Sequence, residues 1–395
     1  MAAKHSPTVC LVSADPRRVS IAGAGPTGSL LALGLAQLGF QVILQDPQRV
    51  EELIARSRAY ALTHSSRRLL NELGLWDAFG INLIPFRSLD LQDRELKARV
   101  VFTPEDLAGG NRLVPAIGWI LDHRPLMELL LDRLASHPSV QLQLGAAPAP
   151  HTPQGRFDLA IACDGPASPH RGFWKLPFWS WTYQQGCLTF KVRLRNHQAQ
   201  TAYELFRCEG PFAVLPLGHN AFQIVWSAPL ECCRERAALS PDQLLEELFG
   251  VLPEGLELEA FLDQPRAFPL QLSLAPRLAR GGLLLVGESG HRCHPVGGQG
   301  LNVCWRDVAE LLRLLKHPAS SRLSGSAIGR RYARRRLPDL ILVGLATDLL
   351  VRLFSNRNPL LLLLRRLGLS SMERFGVLRQ LSLAAMTDGP LAWRR

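Results

Sequence analysis

A run of glycines near residue 300 has the composition of a binding site for an anionic ligand. Residues 287–302 read GESGHRCHPVGGQGLN and follow an apolar run at 283–286. The pattern predicts a buried strand that ends at Gly287 and Glu288, a turn through Pro295, and a helix that begins at the glycines. Unpaired backbone N–H groups at the N-terminus of such a helix carry partial positive charge and can bind an anion.

A second glycine pattern lies near the start of the chain. Gly23, Gly25 and Gly28 form G-x-G-x-x-G between a short strand at 18–22 and an apolar helix at 29–38, and Asp46 ends a second strand at 41–45. This βαβ context is the one in which the pattern binds dinucleotides. The glycines permit a tight turn and the close approach of a pyrophosphate, and Asp46 can accept hydrogen bonds from ribose hydroxyls. The alternative is that Asp46 is a turn residue at the end of the strand.

Asp164 opens a third motif, which follows a short apolar strand predicted at 157–162. Residues 163–171 read CDGPASPHR and contain the spacing D-G-x-x-S-x-x-R. Alone, Asp-Gly would indicate only a turn.

The three motifs resemble those of class A flavoprotein monooxygenases, which bind FAD. In that family the acidic residue at position 288, usually Asp and here Glu, holds a ribityl hydroxyl, and the glycine run lies against the isoalloxazine ring. The resemblance implies non-covalent FAD, because no His or Cys is marked for covalent attachment. The positions that match the cofactor contacts are Gly23, Gly25, Gly28, Asp46, Arg58, Arg124, Asp164, Gly287, Glu288, Pro295, Gly297, Gly298, Gln299, Gly300, Leu301 and Asn302.

Two further segments are similar to the ubiquinone-biosynthesis (2-polyprenylphenol) hydroxylases within that class. Residues 56–76 read RSRAYALTHSSRRLLNELGLW, and Arg58 is the position whose Arg approaches the flavin; residues 210–217, GPFAVLPL, match the substrate-domain sheet. The activity implied is hydroxylation of the aromatic ring of a prenylated phenol or quinone precursor. FAD would be reduced, capture O₂ as the C4a-hydroperoxide and transfer one oxygen, with electrons from NAD(P)H or from a partner reductase or ferredoxin.

Some of these features have other interpretations. Arg58 could belong to a solvated basic face with Arg56, Arg67 and Arg68, and Arg124 could be an ordinary arginine near a helix start. Two other functions stay open for the whole chain. One is another flavin activity on a lipid-like substrate, such as a geranylgeranyl-type reductase, and the other is a non-catalytic flavoprotein subunit of a membrane assembly.

The remaining sequence predicts the strands and helices that must position these residues. Besides the βαβ unit, β-rich stretches at 188–194, 202–207, 213–217 and 221–227 predict an antiparallel sheet, and 240–249 predicts a capped helix. We therefore expect an α/β fold with a Rossmann-like FAD-binding domain, an inserted antiparallel β-sheet substrate domain like that of para-hydroxybenzoate hydroxylase, and a C-terminal helical segment. The expected domains are 17–80, 111–175 and 280–330 for FAD, 81–110 and 176–279 for substrate, and 331–395 for the helices.

The C-terminal region combines an Arg-rich run at 330–336 with Leu-rich residues 337–367. Charged residues and a proline interrupt the leucines, so no run reaches the roughly 18–20 apolar residues that span a bilayer. Two interpretations remain open. The helices could lie on a membrane as amphipathic elements, or the Arg run could belong to a helix packed on the FAD domain with its guanidinium groups in water.

Charge and cysteine content bound the partners and the compartment. The 395 residues include 45 Lys+Arg and 34 Asp+Glu, a net charge of +11 that favours an acidic partner. Nucleic acid is not expected, since no basic stripe is interleaved with aromatic residues. The 8 cysteines show no repeating spacing, which favours a reducing cytoplasmic compartment, with peripheral attachment to the inner face of the membrane left open.

Two smaller expectations complete the sequence prediction. A zinc site built from His291, Cys293, His294 and Cys304 is not expected, because the spacing is wrong and a metal cage would compete with the flavin for the same loop. Residues 1–16 are expected to form a flexible leader, and Gly109 and Gly110 a loop.

Overall fold

The computed structural model describes residues 17–107, 114–148, 158–319 and 323–390. The predicted leader, the loop at Gly109 and Gly110, and the first residue of the strand predicted at 157–162 lie outside these ranges. The strands are β1 (Arg18–Ala22), β2 (Gln41–Asp46), β3 (Ala59–Leu62), β4 (Leu83–Phe86), β5 (Ser88–Asp93), β6 (Ala98–Phe102), β7 (Gly118–Asp122), β8 (Val140–Leu144), β9 (Leu159–Ala162), β10 (Trp179–Arg195), β11 (Thr201–Phe206), β12 (Phe212–Gly218), β13 (Ala221–Pro229), β14 (Glu257–Phe261), β15 (Arg266–Leu274), β16 (Ala279–Arg280), β17 (Leu283–Leu285) and β18 (His291–Arg292).

The helices connect and cover these strands. They are α1 (Pro26–Gln37), α2 (Val50–Ile54), α3 (His64–Glu72), α4 (His123–Ala135), α5 (Pro169–Phe173), α6 (Leu230–Ala237), α7 (Pro241–Phe249), α8 (Gln299–Lys316), α9 (Gly325–Phe354), α10 (Pro359–Arg374) and α11 (Gly376–Asp388). Short 3-10 turns at Asp77–Asn82, Pro104–Asp106, Gly287–Ser289 and Val296–Gly298 join some of them.

The first sheet has the strand order β16-β17-β9-β1-β2-β8 and is parallel except for β16. Strand β9 is buried along its whole length, and β1 is buried except at Arg18, as expected of parallel strands covered on both faces. Helix α1 contributes Leu30, Leu31 and Leu35 to the same core. This is the Rossmann-like arrangement predicted from the βαβ unit, and it is confirmed.

The second sheet has the order β18-β15-β10-β13-β12-β11-β5-β6, and β14 pairs with β10. The four predicted strands are present as β10 to β13, and α7 is the predicted helix, capped by Ser240, whose Oγ accepts from the Gln243 N–H at 3.3 Å. One pairing differs from the prediction of an antiparallel sheet, since β11 and β5 run parallel. Strand β5 joins from an earlier segment of the chain, and a period of two residues does not reveal which strand lies beside which.

Helices α9, α10 and α11 pack against this assembly and are fixed to it by arginines. On α10, buried Arg365 forms a two-pronged pair with buried Asp93, with Nε to Oδ2 at 2.8 Å and Nη2 to Oδ1 at 2.6 Å. On α11, Arg379 Nε donates to Asp106 Oδ1 at 3.0 Å. Paired guanidinium and carboxylate groups of this geometry fix orientation as well as position.

The Arg-rich run at 330–336 divides between two environments on α9. Arg330, Arg331, Arg334 and Arg335 are exposed, whereas Arg336 is fully buried. For Arg336 neither sequence interpretation is right, because its guanidinium group faces neither water nor a membrane. Among the described residues, no helix combines the length and the apolar composition needed to cross a bilayer. The exact domain boundaries given above stay a prediction.

Candidate functional site

The turn between β1 and α1 is packed so closely, against itself and against the loop after β9, that only glycine fits at two positions. Gly23 has a φ of +101°, and a Cβ there would lie 2.3 Å from the carbonyl oxygen of Cys163. A Cβ on Gly28 would lie 1.8 Å from the carbonyl oxygen of Gly23. Gly25 is different, since a Cβ there would meet no described atom within 4 Å. Gly25 therefore faces open space at the N-terminus of α1, where a pyrophosphate can approach.

Asp46 holds this turn in place. Its Oδ2 accepts from the Ala24 N–H at 2.7 Å, and its Oδ1 accepts from the Gln48 N–H at 2.8 Å. Each carboxylate oxygen has a second lone pair, so these bonds leave capacity for a ribose hydroxyl. The turn role and the predicted ligand role of Asp46 are thus compatible.

Asp164 carries a buried acceptor that lacks a partner. Its Oδ2 bonds the backbone N–H of His170 at 3.2 Å and the Nδ1 of the same residue at 2.9 Å. Its Oδ1 is buried and has no hydrogen-bond partner within the described ranges. Buried polar atoms nearly always have a partner, so this oxygen indicates a donor supplied by a ligand or by water.

Arg171, the last residue of the D-G-x-x-S-x-x-R spacing, links two of the motifs. Its Nη1 donates to the carbonyl oxygen of Ser289 at 2.7 Å, and its Nη2 donates to that of Pro166 at 2.8 Å. The loop after β9 and the loop after β17 are therefore held side by side.

The loop after β17 is anchored by Asp307, a fully buried residue of α8. Asp307 Oδ2 accepts from the Gly287 N–H at 2.9 Å and pairs with His291 Nε2 at 2.7 Å, while Oδ1 accepts from Arg336 Nε at 2.6 Å. Burial by itself would raise the pKa of Asp307, but the charges of His291 and Arg336 outweigh it and hold that pKa well below its usual range. Arg336 continues to Asp339 Oδ2 at 2.5 Å.

The glycine run is held against β3 and α3 by Asn302. Its side-chain Oδ1 accepts from the Thr63 N–H at 3.0 Å and from Ser66 Oγ at 2.7 Å, and its Nδ2 donates to the carbonyl oxygen of Ala61 at 2.7 Å. The side chain is therefore committed to the protein, which leaves the backbone of Asn302 for any cofactor contact. Gly297 and Gly298 have φ of +67° and +63°, and a Cβ on Gly300 would meet no described atom within 4 Å.

The other members of the run are placed by neighbouring groups. Gln299 Nε2 donates to the carbonyl oxygen of Gly297 at 3.1 Å, and Leu301 packs against the core under the first sheet. His294, just before Pro295, is fully buried with its ring edge-on to Tyr183, and burial lowers its pKa to about 4. Tyr183 in turn donates to Asp348 Oδ1 at 2.7 Å, which ties the run to β10 and α9.

Glu288 stands half-buried in the loop after β17. Within the described chain its carboxylate forms no hydrogen bond and no ion pair, although burial and then its charge raise the pKa of the Cys293 thiol to about 11. A carboxylate in this position is free to accept from a ligand hydroxyl, as the resemblance implies.

Residues 17–83 and 154–338 match the protein family described as FAD binding domain. The chain is 32% identical to the 3-demethoxyubiquinol 3-hydroxylase of Escherichia coli strain K12, over 93% of this chain and 98% of that protein. The chain belongs to the ubiquinone-biosynthesis hydroxylase family of FAD-dependent monooxygenases. It is also 30% identical to the ubiquinone hydroxylase UbiL of Rhodospirillum rubrum, over 92% of this chain and 87% of the relative. The crystal structure of pqsL, a probable FAD-dependent monooxygenase from Pseudomonas aeruginosa, shares the fold with a TM-score of 0.74 at 17% identity, covering 90% of this chain and 100% of pqsL.

The residues of the three loops are suited to bind FAD. The open space at Gly25 suits a pyrophosphate, the unpartnered Oδ1 of Asp164 suits a hydroxyl or water donor, and Glu288 is available as an acceptor. The expectation of FAD as cofactor and of a monooxygenase fold is confirmed by the family match.

The two predicted arginine contacts, Arg58 and Arg124, are exposed. Arg58 is exposed, with its guanidinium carbon 5.6 Å from the centre of the Phe268 ring, at the junction of β3 and β15. Arg124 has a side chain that is 64% exposed and pairs with Glu128 at 3.4 Å. The structure thus brings the glycine and acidic positions together but directs Arg124 to solvent. The contacts of Arg58 and of Arg124 with FAD both stay predictions.

Sequence reasoning missed the residues that fix the loops in this family member. Asp307, His291 and Arg336 form a buried charged group that was not recognised. The sequence does contain an indication of this group. Asp307 shares a helical face with Val303 and Leu311, and a carboxylate on such an apolar face is costly to bury unless it is paired. Within the described ranges, no three His, Cys, Asp or Glu residues converge as a metal site.

Proposed function

We propose that this FAD-dependent monooxygenase hydroxylates the aromatic ring of a prenylated phenol or quinone precursor, using O₂. The observation that carries the proposal is the set of three loops, joined by Arg171 and Asp307, that leave Gly25 and Glu288 open to a cofactor. Two relatives of this chain are named as ubiquinol or ubiquinone hydroxylases, which supports the substrate class.

Each loop would bind a different part of the cofactor. The N-terminus of α1 at Gly25 would bind the pyrophosphate, Asp46 an adenosine ribose hydroxyl, and Glu288 a ribityl hydroxyl. The Gly298 N–H donates to the carbonyl oxygen of Pro295 at 2.9 Å, so the backbone N–H groups at the start of α8, including that of Gly300, would be the ones that lie toward the ring, where their dipoles stabilise negative charge. Bound FAD supplies the activation of O₂ and the transfer of one oxygen atom to the substrate.

The protein surrounds the glycine run with apolar side chains. Val296 belongs to a cluster shared by the second sheet, the C-terminal helices and strands β4 and β7 of a separate sheet ordered β3-β7-β4, and its members include Phe86, Phe102, Ile120 and Phe206. Such surroundings exclude water from the reaction and accept a prenyl tail. We propose that the substrate lies between this sheet and the glycine run, and that NAD(P)H is the electron donor, with a partner reductase or ferredoxin as the alternative.

The proposal is tested with ¹⁸O₂. Purified protein with FAD and NAD(P)H should convert a short-tailed phenol into a product heavier by one ¹⁸O atom, since the oxygen comes from O₂. Product without ¹⁸O would favour a reductase. Donor oxidation that does not respond to any phenol would favour a non-catalytic subunit.

Glu288→Ala should weaken FAD binding by roughly 10- to 150-fold, because a charge-assisted hydrogen bond contributes about 1.5–3 kcal/mol. Glu288→Asp should bind FAD almost as well as the parent, since the acceptor is kept. The measurement is fluorescence titration of cofactor-free protein with FAD. Glu257→Ala, an exposed residue of β14, is the matched control and should leave affinity unchanged. Parent-like affinity in Glu288→Ala would exclude a ribityl contact.

A further inference from the structure

We propose that the outer faces of α9, α10 and α11 form a docking surface for a bilayer that contains anionic phospholipid. The surface is defined by the exposed leucines of the three helices together with Arg331, Arg334 and Arg335. The proposal rests on the proposed function only in that the substrate is dissolved in lipid.

The three helices expose large apolar side chains in a number unusual for a surface in contact with water. The exposed members are Ile341, Leu342, Leu345, Leu349 and Leu350 on α9, Leu360, Leu363, Leu364 and Leu367 on α10, and Val377, Leu378 and Leu381 on α11. Leu345, Leu349 and Leu360 are 60%, 63% and 73% exposed. Single exposed leucines need no explanation, but this group extends over consecutive helices and indicates an apolar partner.

The exposed face of α9 changes character along its length. At 100° per residue, Arg331, Leu342, Leu345 and Leu349 fall on one stripe, so the stripe is basic in its first half and apolar in its second. The distance from Arg331 to Leu349 along the axis is about 27 Å. An anionic bilayer offers both partners at once, with phosphate groups for the arginines and acyl chains for the leucines.

The arginine end of the surface also forms a cleft. Arg331, Arg334 and Arg335 of α9 line it together with Arg313 and His317 at the end of α8. Arg313 and Arg335 share the buried carboxylate of Glu310, at 2.8 and 3.0 Å. Basic groups therefore outnumber the one acid that they contact, which suits an anionic headgroup.

The inner faces of the same helices are apolar as well. Val351, Phe354, Leu369 and Leu383 belong to the cluster around Val296. A Cβ on Gly297 would lie 3.2 Å from Met386 of α11. The C-terminal helices are thus the layer that separates the glycine run from the docking surface, so a prenyl tail would have a short apolar route from the bilayer.

A buried ion pair fixes which side of α10 faces the protein. Arg365 lies on the side of α10 opposite to Leu363 and Leu367, and its pair with Asp93 fixes that side against β5. The exposure of Leu363 and Leu367 is therefore enforced by the fold. A second copy of this chain is a less suitable partner, because a symmetric contact would either bring two basic halves together or, with the α9 helices antiparallel, place each basic half against the apolar half of the other copy.

The test is sedimentation of the FAD-loaded protein with vesicles of phosphatidylcholine and phosphatidylglycerol, compared with phosphatidylcholine alone. The parent should sediment with the mixed vesicles. Leu345→Gln with Leu349→Gln should weaken this binding roughly tenfold or more, because both side chains leave the acyl region. Arg331→Gln with Arg334→Gln should weaken it roughly 30-fold, and salt should weaken parent binding in the same way.

The matched control is Leu245→Gln with Phe249→Gln, which removes two exposed apolar side chains of α7, away from the surface. FAD content and the melting temperature should be unchanged in all variants. Equal loss in the control, equal binding to phosphatidylcholine alone, or loss of a dimer rather than of vesicle binding would each overturn the proposal. A parent that does not bind mixed vesicles but still hydroxylates a short-tailed phenol would overturn the docking surface and leave the proposed function intact.

Discussion

Gly25→Val protein is expected to purify as a folded protein that contains no FAD. A Cβ at this position meets no described atom within 4 Å, and the backbone angles of −69° and −178° suit a β-branched residue. The substitution should therefore cost the fold at most about 1 kcal/mol through the poorer helix cap. The valine side chain would instead occupy the place of the pyrophosphate.

The measurement is the ratio of bound flavin to protein, read from the visible absorption after desalting. Gly368→Val on α10 is the matched control, since a Cβ there also meets open space, and it should keep its flavin. Gly28→Ala should behave differently and lose stability even without FAD, because its Cβ would collide with the carbonyl oxygen of Gly23. Full flavin occupancy in Gly25→Val would show that the turn after β1 is not the pyrophosphate site.

Asp307→Asn should lower the free energy of unfolding by about 3–5 kcal/mol, the usual effect of removing one partner of a buried ion pair. The amide group would place a donor against His291 or Arg336, both of which donate to the carboxylate. The Gly287 N–H would lose its charged acceptor in the same change. We therefore expect both lower stability and weaker FAD binding, measured by urea unfolding of the cofactor-free protein and by flavin titration.

The pH dependence of the same group gives a second measurement. The pKa of Asp307 is lower in the folded protein than in the unfolded chain, so its stabilising effect is complete above the unfolded value and is lost as the pH falls toward the folded value. The difference in free energy of unfolding between the parent and Asp307→Asn should therefore become smaller as the pH is lowered. Asp132→Asn, an exposed residue of α4, is the control and should stay within about 0.5 kcal/mol of the parent. An Asp307→Asn protein as stable as this control would exclude the anchoring role.

The sequence was most informative where a property is local. The glycines of the β1 turn and the capping Ser240 act within a few residues of themselves, so spacing alone predicted the βαβ unit and α7. Periodicity also predicted four strands of the second sheet, β10 to β13. It could not predict that β5 pairs in parallel with β11, because pairing depends on residues far apart in the chain.

The sequence did not predict which charged side chains pair with one another in the interior. Arg336 stands in a run of exposed arginines, and composition gave no reason to separate it from Arg334 and Arg335. Its partner Asp307 lies 29 residues away, so the pair is visible only when α8 and α9 are packed together. Arg124 differs from Arg336, because its exposed side chain pairs with Glu128 on its own helix, and its contact with FAD stays a prediction.

The pair between Arg365 and Asp93 joins residues 272 positions apart. During synthesis, β5 leaves the ribosome long before α10. The Asp93 carboxylate and the apolar cluster around Val296 therefore lack the partners that α10 and α11 supply until these helices have been synthesised. Contacts of such long sequence separation are slow to form, and exposed apolar surface in a waiting chain favours aggregation. We therefore expect the nascent protein to depend on a chaperone until its last helices emerge, and chains that stop before α10 to be removed by proteases rather than accumulate.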